Sequence, residues 1–108
     1  MSQEKIIINI LLLLAISDYE LHKKEREFIE DYIQEKNFDL DIDLILEEMK
    51  DKFRDDFDTS CLFYLNSINE KIIQEEVIIL TKKLAAADLI VRNREVKFLE
   101  LVKKTWKI

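Results

Sequence analysis

Two pairs of carboxylates stand out in this chain because both pairs follow the same local pattern. Asp18 comes where an apolar segment ends, and Glu25 follows seven residues later. Asp88 and Glu95 repeat this spacing near the other end of the chain. Carboxylate oxygens are the ligands that hard cations such as Ca²⁺ and Mg²⁺ prefer. If the fold brings the two pairs together, these four side chains form a divalent-cation site.

The two pairs belong to an internal repeat in which the copies are 70 residues apart. The segment 14–30, LAISDYELHKKEREFIE, aligns with 84–100, LAAADLIVRNREVKFLE. Six positions are identical: Leu14/Leu84, Ala15/Ala85, Asp18/Asp88, Glu25/Glu95, Phe28/Phe98 and Glu30/Glu100. Each copy reads as an apolar helix, a short turn and an amphipathic helix. The repeat therefore predicts two αα-hairpins in a pseudo-symmetric bundle.

The same four residues also have a purely structural interpretation. Asp18 and Asp88 are expected near helix C-termini, where the helix dipole disfavours a carboxylate by about 0.3–1 kcal/mol. Each aspartate could offset this cost by accepting amide protons from the start of the following helix. Glu25 and Glu95 are expected in the first turn of that helix, where a glutamate can cap the N-terminus. The residues alone leave both interpretations open, a cation site and a pair of fixed turns.

The elements that position these residues are predicted to be helices. The chain has 108 residues and contains neither Gly nor Pro, whereas the tight hairpins of a sheet depend on residues that accept positive φ. We expect an all-α fold, a single-domain bundle of about six to seven helices over residues 1–108. Apolar spacing predicts five helices with approximate bounds 2–17, 23–35, 41–53, 59–67 and 93–106. A further helix lies before the last of these; it begins at a capping box formed by Ser67 and Glu70 and reaches Ala87.

Some of these helices carry specific expectations about burial and capping. The first is apolar on nearly every side from Ile6 onward, which predicts a buried central helix. Asp58 or Thr59 can cap the fourth helix. We expect several apolar side chains to point inward, namely Leu62, Phe63 and Leu65 on the fourth helix and Val96, Leu99 and Val102 on the sixth, which Trp106 anchors.

The net charge is −6, and its distribution bears on the choice of partner. Nucleic-acid binders usually carry a basic stripe, so we expect no nucleic-acid partner. The segment 39–58 contains nine acids, Asp39, Asp41, Asp43, Glu47, Glu48, Asp51, Asp55, Asp56 and Asp58. Such a surface can steer a basic protein partner, so an interaction module that uses the acidic 39–58 surface is the alternative function.

The remaining residues argue against catalysis and against a membrane span. Cys61 and His22 are the single cysteine and histidine, and the sequence contains no phosphate loop, metal triad or evident nucleophile with a base. The apolar segment 6–16 resembles the core of a signal peptide, but it is shorter than the roughly 20 residues that cross a bilayer. Because this segment has an equivalent in the repeat, we expect a buried helix in a cytoplasmic, non-enzymatic protein.

The doubled motif resembles the TerB-like family, named after tellurite-resistance proteins and related to a domain of the DjlA-type co-chaperones. The family motif reads approximately Ala-Asp-Gly-x-aliphatic-x-x-x-Glu. The first copy here is Ser17, Asp18, Tyr19, Glu20, Leu21 and then Glu25, and the second is Ala87, Asp88, Leu89, Ile90, Val91 and then Glu95. Tyr19 and Leu89 replace the glycine of the family.

The resemblance implies a small all-helical cytoplasmic domain that acts in stress responses such as tellurite resistance. It also implies metal binding at acidic positions, with Asp18, Glu25, Asp88 and Glu95 as ligands of Ca²⁺ or Mg²⁺. A protein partner is expected as well, although the sequence does not identify it and does not specify the oligomeric state.

Overall fold

The computed structural model describes residues 3–17, 20–21, 23–50, 56–87 and 93–107, and their side chains apart from those of 16, 17, 20, 21, 85, 87 and 93–95. Over this part of the chain there are six α-helices, which confirms the predicted all-α class. They are α1 Gln3–Ala15, α2 Lys23–Glu35, α3 Ile42–Glu48, α4 Phe57–Leu65, α5 Lys71–Ala87 and α6 Asn93–Trp106. None of the described helices is long and apolar enough to cross a membrane.

The central element of the bundle is α1. Every residue from Ile6 to Ala15 is buried, and the helix contacts α2, α4, α5 and α6. The prediction of a buried central helix is therefore confirmed. One polar pair crosses this core, because the side chain of Asn9 is hydrogen-bonded to the buried Tyr64 of α4. Such a bond gives each of the two side chains a polar partner away from water.

A short antiparallel pair reverses the chain between α1 and α2. The strands β1 Ile16–Ser17 and β2 Glu20–Leu21 pair with Ile16 opposite Leu21. The first helix therefore ends at Ala15 rather than at the expected Ser17. This two-residue ladder was not predictable from the sequence, because so short a segment shows no alternation of apolar and polar residues.

The helices α1 and α5 run side by side in the same direction. The strand pair reverses the chain, and Tyr32 near the end of α2 is within electrostatic range of Glu4 at the start of α1, so α2 is antiparallel to α1. At one end of α2, Lys36 Nζ lies 3.8 Å from Glu76 Oε1 near the start of α5. Phe28, nearer the start of α2, lines a cleft together with Lys83 near the end of α5. Thus α2 is also antiparallel to α5, and α1, which contacts α5, ends at the same side of the bundle as α5 does.

We call this side of the bundle the corner end. It contains the last residues of α1 and α5 and the first turn of α2, and five residues of sequence separate the end of α5 from the start of α6. We call the connections that follow α1 and α5 the two corners. Leu14 and Leu84, which are equivalent in the repeat, are both fully buried near the ends of these helices. Their equal burial agrees with the predicted pseudo-symmetry of the two hairpins.

The helices α4 and α6 pack against each other in parallel. Near their N-termini, Lys97 Nζ lies 3.2 Å from Asp58 Oδ1. Near their C-termini, the indole N–H of Trp106 donates a hydrogen bond of 3.0 Å to the carbonyl oxygen of Leu65. This bond satisfies one of the carbonyl groups that a helix leaves without a partner at its end. Trp106 is thus the anchor of α6 that the sequence predicts.

An asparagine takes the place of glycine at the end of α2. Asn37 has a φ of 57°. The N–H of Phe38 donates to the carbonyl of Ile33, and the N–H of Asn37 donates to that of Gln34, both at 3.0 Å. This is the bonding pattern of a Schellman motif. The ring of Phe38 then packs edge-on against Tyr32, with centroids 5.7 Å apart.

The expected caps of α4 and α5 are wrong. Asp56, rather than Asp58 or Thr59, is the N-cap of α4 and accepts a hydrogen bond from the N–H of Thr59 at 3.2 Å. The hydroxyl of Ser67 donates back to the carbonyl of Phe63 at 2.9 Å, so it forms no capping box with Glu70. Local competition of this kind is typical of serine next to a helix end.

Three side chains expected to point inward are exposed instead. Leu62, Phe63 and Val96 keep 37%, 49% and 45% of their surface accessible. In the short α4, the core contacts are made by Cys61, Tyr64 and Leu65, and a helix of nine residues cannot bury all its faces. The single cysteine therefore fills the core.

Candidate functional site

Of the four candidate cation ligands, Glu25 is the one whose side chain the structure describes, and it lies at the corner end. Glu25 lies in the first turn of α2 and is completely buried. Glutamate is almost never fully buried unless its charge is balanced. The N-terminus of a helix favours a negative charge, so the start of α2 contributes to that balance.

Of the other three predicted ligands, the structure describes only the backbone of Glu95. Glu95 is the third residue of α6, as Glu25 is the third residue of α2. Both glutamates therefore lie in a first helical turn, as predicted. Asp18 and Asp88 lie outside the described residues, one after the end of α1 and the other directly after the end of α5.

Other metal centres are not evident in the described part of the chain. Among the described side chains, no group of three or more His, Cys, Asp or Glu residues is placed to hold a metal ion. Of the four predicted ligands, only Glu25 belongs to these side chains.

The acidic segment 39–58 is largely engaged in local structure. Asp41 and Asp56 cap α3 and α4 through their side-chain oxygens. Four further acids form ion pairs: Asp43 with Arg26 at 3.1 Å, Glu47 with Lys50 at 3.0 Å, Glu48 with Lys5 at 2.6 Å and Asp58 with Lys97 at 3.2 Å. Exposed pairs of this kind stabilise a fold by at most about 1 kcal/mol each. The interaction module predicted from this segment stays a prediction, and Asp51 and Asp55 lie outside the described residues.

A cleft of about 350 Å³ lies between α2 and α5. Its lining combines apolar, acidic and basic side chains, namely Phe28, Asp31, Tyr32, Glu35, Lys36, Glu76, Ile79, Leu80 and Lys83. At its centre the hydroxyl of Tyr32 donates a hydrogen bond of 2.6 Å to Glu76 Oε1. Burial, and then this bond to a carboxylate, raise the pKa of the Tyr32 phenol well above its usual value.

The sequence contains one indication of this cleft, a pair of isoleucines on α5, that was not used to predict it. Ile72 and Ile79 are seven residues apart and therefore share one face of α5. They remain 77% and 52% exposed. The sequence predicted the helix α5, but no function was predicted for the face that carries Ile72 and Ile79.

A smaller groove of about 290 Å³ lies between α5 and α6. Its floor is formed by Ile78, Leu99 and Val102, and Lys82 and Lys103 are its charged lining residues. Both lysines are exposed, so the groove offers cationic groups at the surface of an otherwise acidic chain.

Comparison with known proteins gives no match, whether to a family model, to a curated protein or to a solved structure. The resemblance to the TerB-like family therefore depends on the two motifs around Asp18 and Asp88.

Proposed function

We propose that this chain is a non-enzymatic, TerB-like domain that binds a divalent cation, Ca²⁺ or Mg²⁺, at the corner end and acts in a stress response. The observation that supports the proposal is the parallel packing of α1 and α5. If these helices were antiparallel, the two acidic corners would be separated by the length of α1, about 20 Å at 1.5 Å per residue. In the parallel arrangement both corners belong to one end of the bundle.

The proposed site combines two kinds of position. Glu25 and Glu95 belong to the first turns of α2 and α6, and Asp18 and Asp88 follow α1 and α5 in the sequence. Ca²⁺ takes six to eight oxygen ligands at about 2.3–2.6 Å, and Mg²⁺ takes six at about 2.0–2.1 Å. Four carboxylates, backbone carbonyls and water supply such a set. The cation would also balance the repulsion among four negative charges brought to one place.

The proposal is tested by thermal unfolding of the chain in Ca²⁺ and in Mg²⁺. At a free cation concentration about ten times the Kd, binding stabilises the folded state by about 1.4 kcal/mol. For a domain of 108 residues this corresponds to a rise in Tm of about 6 °C. Amide chemical shifts followed during the same titration identify the residues around the cation.

Two variants on the same helix separate the cation site from a structural role. Glu25→Gln keeps the shape of the buried side chain and removes its charge. If this costs about tenfold in cation affinity, the rise in Tm falls to about 2 °C. Glu27→Gln, two residues further on, is the matched control, because Glu27 is exposed and forms only a long ion pair of 3.9 Å with Lys23. It should keep the full response.

A different outcome would support the structural interpretation of the corners. In that case Glu25→Gln and the double variant Asp18→Asn/Asp88→Asn lower the Tm, but Ca²⁺ and Mg²⁺ at millimolar concentration have no effect on any of the proteins. That result would refute the proposed function.

A further inference from the structure

Apolar side chains line the cleft between α2 and α5, and a further exposed isoleucine lies nearby on α5. Ile79 lines the cleft with Phe28 and Leu80, and Ile72 lies two turns away on the same face of α5. Ile72 is the most exposed of the large apolar side chains that the structure describes, at 77%. Two exposed isoleucines on one helix face beside a cleft offer apolar contacts for a partner helix.

The charged side chains that line this cleft are more negative than positive. Three carboxylates line it, those of Asp31, Glu35 and Glu76, against the ammonium groups of Lys36 and Lys83. Lys36 Nζ is 3.8 Å from Glu76 Oε1, so it balances one of the three. The pKa of Tyr32, raised first by burial, is raised further by the negative charges of Glu76, Glu35 and Glu4. The centre of the cleft therefore favours a cationic ligand.

The dimensions of the surface suit one partner helix. From Ile72 to Lys83 the face of α5 extends eleven residues, which is about 16 Å or three helical turns at 1.5 Å per residue. Amphipathic helices bind in grooves through apolar anchors spaced by three, four and seven residues. Ile72 and Ile79 offer contacts at the seven-residue spacing, with Glu76 between them.

We propose that this cleft binds a basic amphipathic helix of another protein. Its aliphatic side chains pack on Ile72 and Ile79, and its lysine or arginine residues face Glu76 and Glu35. A second copy of this chain is the poorer occupant, because a two-fold interface would place the same acidic face against itself. The site is separate from the corner end, so the proposal does not depend on the proposed cation.

The experiment uses two synthetic helical peptides as probes. Both have leucine at positions i, i+3, i+4 and i+7, and one has lysine at the flanking positions where the other has glutamate. Binding to the full chain is measured by fluorescence anisotropy in the presence of a chelator, which makes the result independent of Ca²⁺ and Mg²⁺. We expect the lysine peptide to bind and the glutamate peptide to bind at least about tenfold more weakly.

Matched variants show whether the peptide occupies this cleft. Ile79→Ser should weaken binding of the lysine peptide at least about tenfold, as expected for a central contact. Leu44→Ser is the control, because Leu44 is 65% exposed on α3 and does not line the cleft. Glu76→Gln should weaken binding and reduce its salt dependence, whereas Glu75→Gln, one residue away and outside the lining, should have a smaller effect.

Three results would overturn the proposal. The first is no binding of the lysine peptide at millimolar concentration. The second is equal binding of the two peptides, or equal binding to Ile79→Ser and to the unmodified chain. The third is a dimer in light scattering that Ile79→Ser dissociates, which would make a second copy the occupant.

Discussion

Glycine substitutions at two asparagines should change the stability of this protein in opposite directions. Asn37 and Asn66 both follow the last turn of a helix, α2 and α4 respectively. Asn37 has a φ of 57°, in the left-handed region, whereas Asn66 has a φ of −71° and a ψ of −14°. We expect Asn37→Gly to stabilise the fold and Asn66→Gly to destabilise it.

The magnitudes follow from two opposing contributions. A non-glycine residue in the left-handed region costs about 1–2 kcal/mol, of which asparagine recovers a part by local hydrogen bonding. Glycine avoids this cost but loses about 0.5–1 kcal/mol in chain entropy on folding. At Asn37 we expect a net gain of about 0.5 kcal/mol. At Asn66 only the entropic loss remains. The free energies of unfolding of Asn37→Gly and Asn66→Gly should therefore differ by about 1 kcal/mol or more.

Urea unfolding measures this difference directly. With an m-value of about 2 kcal/mol per molar urea, the unfolding midpoints of the two variants should differ by about 0.5 M. Asn37→Ala is a useful third variant, because alanine lacks both the freedom of glycine and the tolerance of asparagine for the left-handed region. It should be less stable than the unmodified chain. If both glycine variants shift the midpoint in the same direction at equal m-values, the left-handed conformation of Asn37 does not control the end of α2.

Three further predictions concern other parts of the fold. The raised pKa of Tyr32 means that the folded chain keeps this phenol protonated at a pH where the unfolded chain, with a pKa near 10.0, has lost the proton. Stability should therefore be fully present below pH 10 and fall above it by up to about 1.4 kcal/mol per pH unit, and Tyr32→Phe should reduce that slope in urea unfolding at pH 9 to 11. Trp106→Phe removes the hydrogen bond to the Leu65 carbonyl and should cost about 0.5–1.5 kcal/mol beyond the lost packing, which a comparison with Trp106→Leu by calorimetry can check. Leu14→Ala and Leu84→Ala, at equivalent and fully buried positions, should each cost about 2–5 kcal/mol in chemical unfolding, whereas Leu44→Ala on the surface should change stability by less than about 0.5 kcal/mol.

The helices with a clear division between apolar and charged faces were predictable from the sequence. The predicted bounds 23–35 and 93–106 agree with α2 and α6. The start of α4 was not predictable, because the segment 55–59 offers several adjacent side chains that can accept from an N-terminal amide. Packing decides among them: Asp56 caps the helix, while Asp58 pairs with Lys97 of α6.

The candidate site was also only partly predictable from the sequence. The repeat predicted the first-turn positions of Glu25 and Glu95, since these depend on local sequence. It did not predict that α1 and α5 are parallel, because helix direction depends on how the intervening segments pack. The cleft between α2 and α5 also depends on distant contacts, with Tyr32 and Glu76 separated by 44 residues along the chain. No periodic pattern in the sequence predicts which carboxylate accepts the hydrogen bond of a buried tyrosine.

The position of α1 has a consequence for how this protein is made. The ribosome synthesises α1 before the helices that surround it, namely α2, α4, α5 and α6. The ten consecutive buried residues of α1, Ile6 to Ala15, cannot be fully covered until α6 has emerged. Until then the nascent chain carries an uncovered apolar segment, which is the condition under which chaperones bind and unfinished chains aggregate.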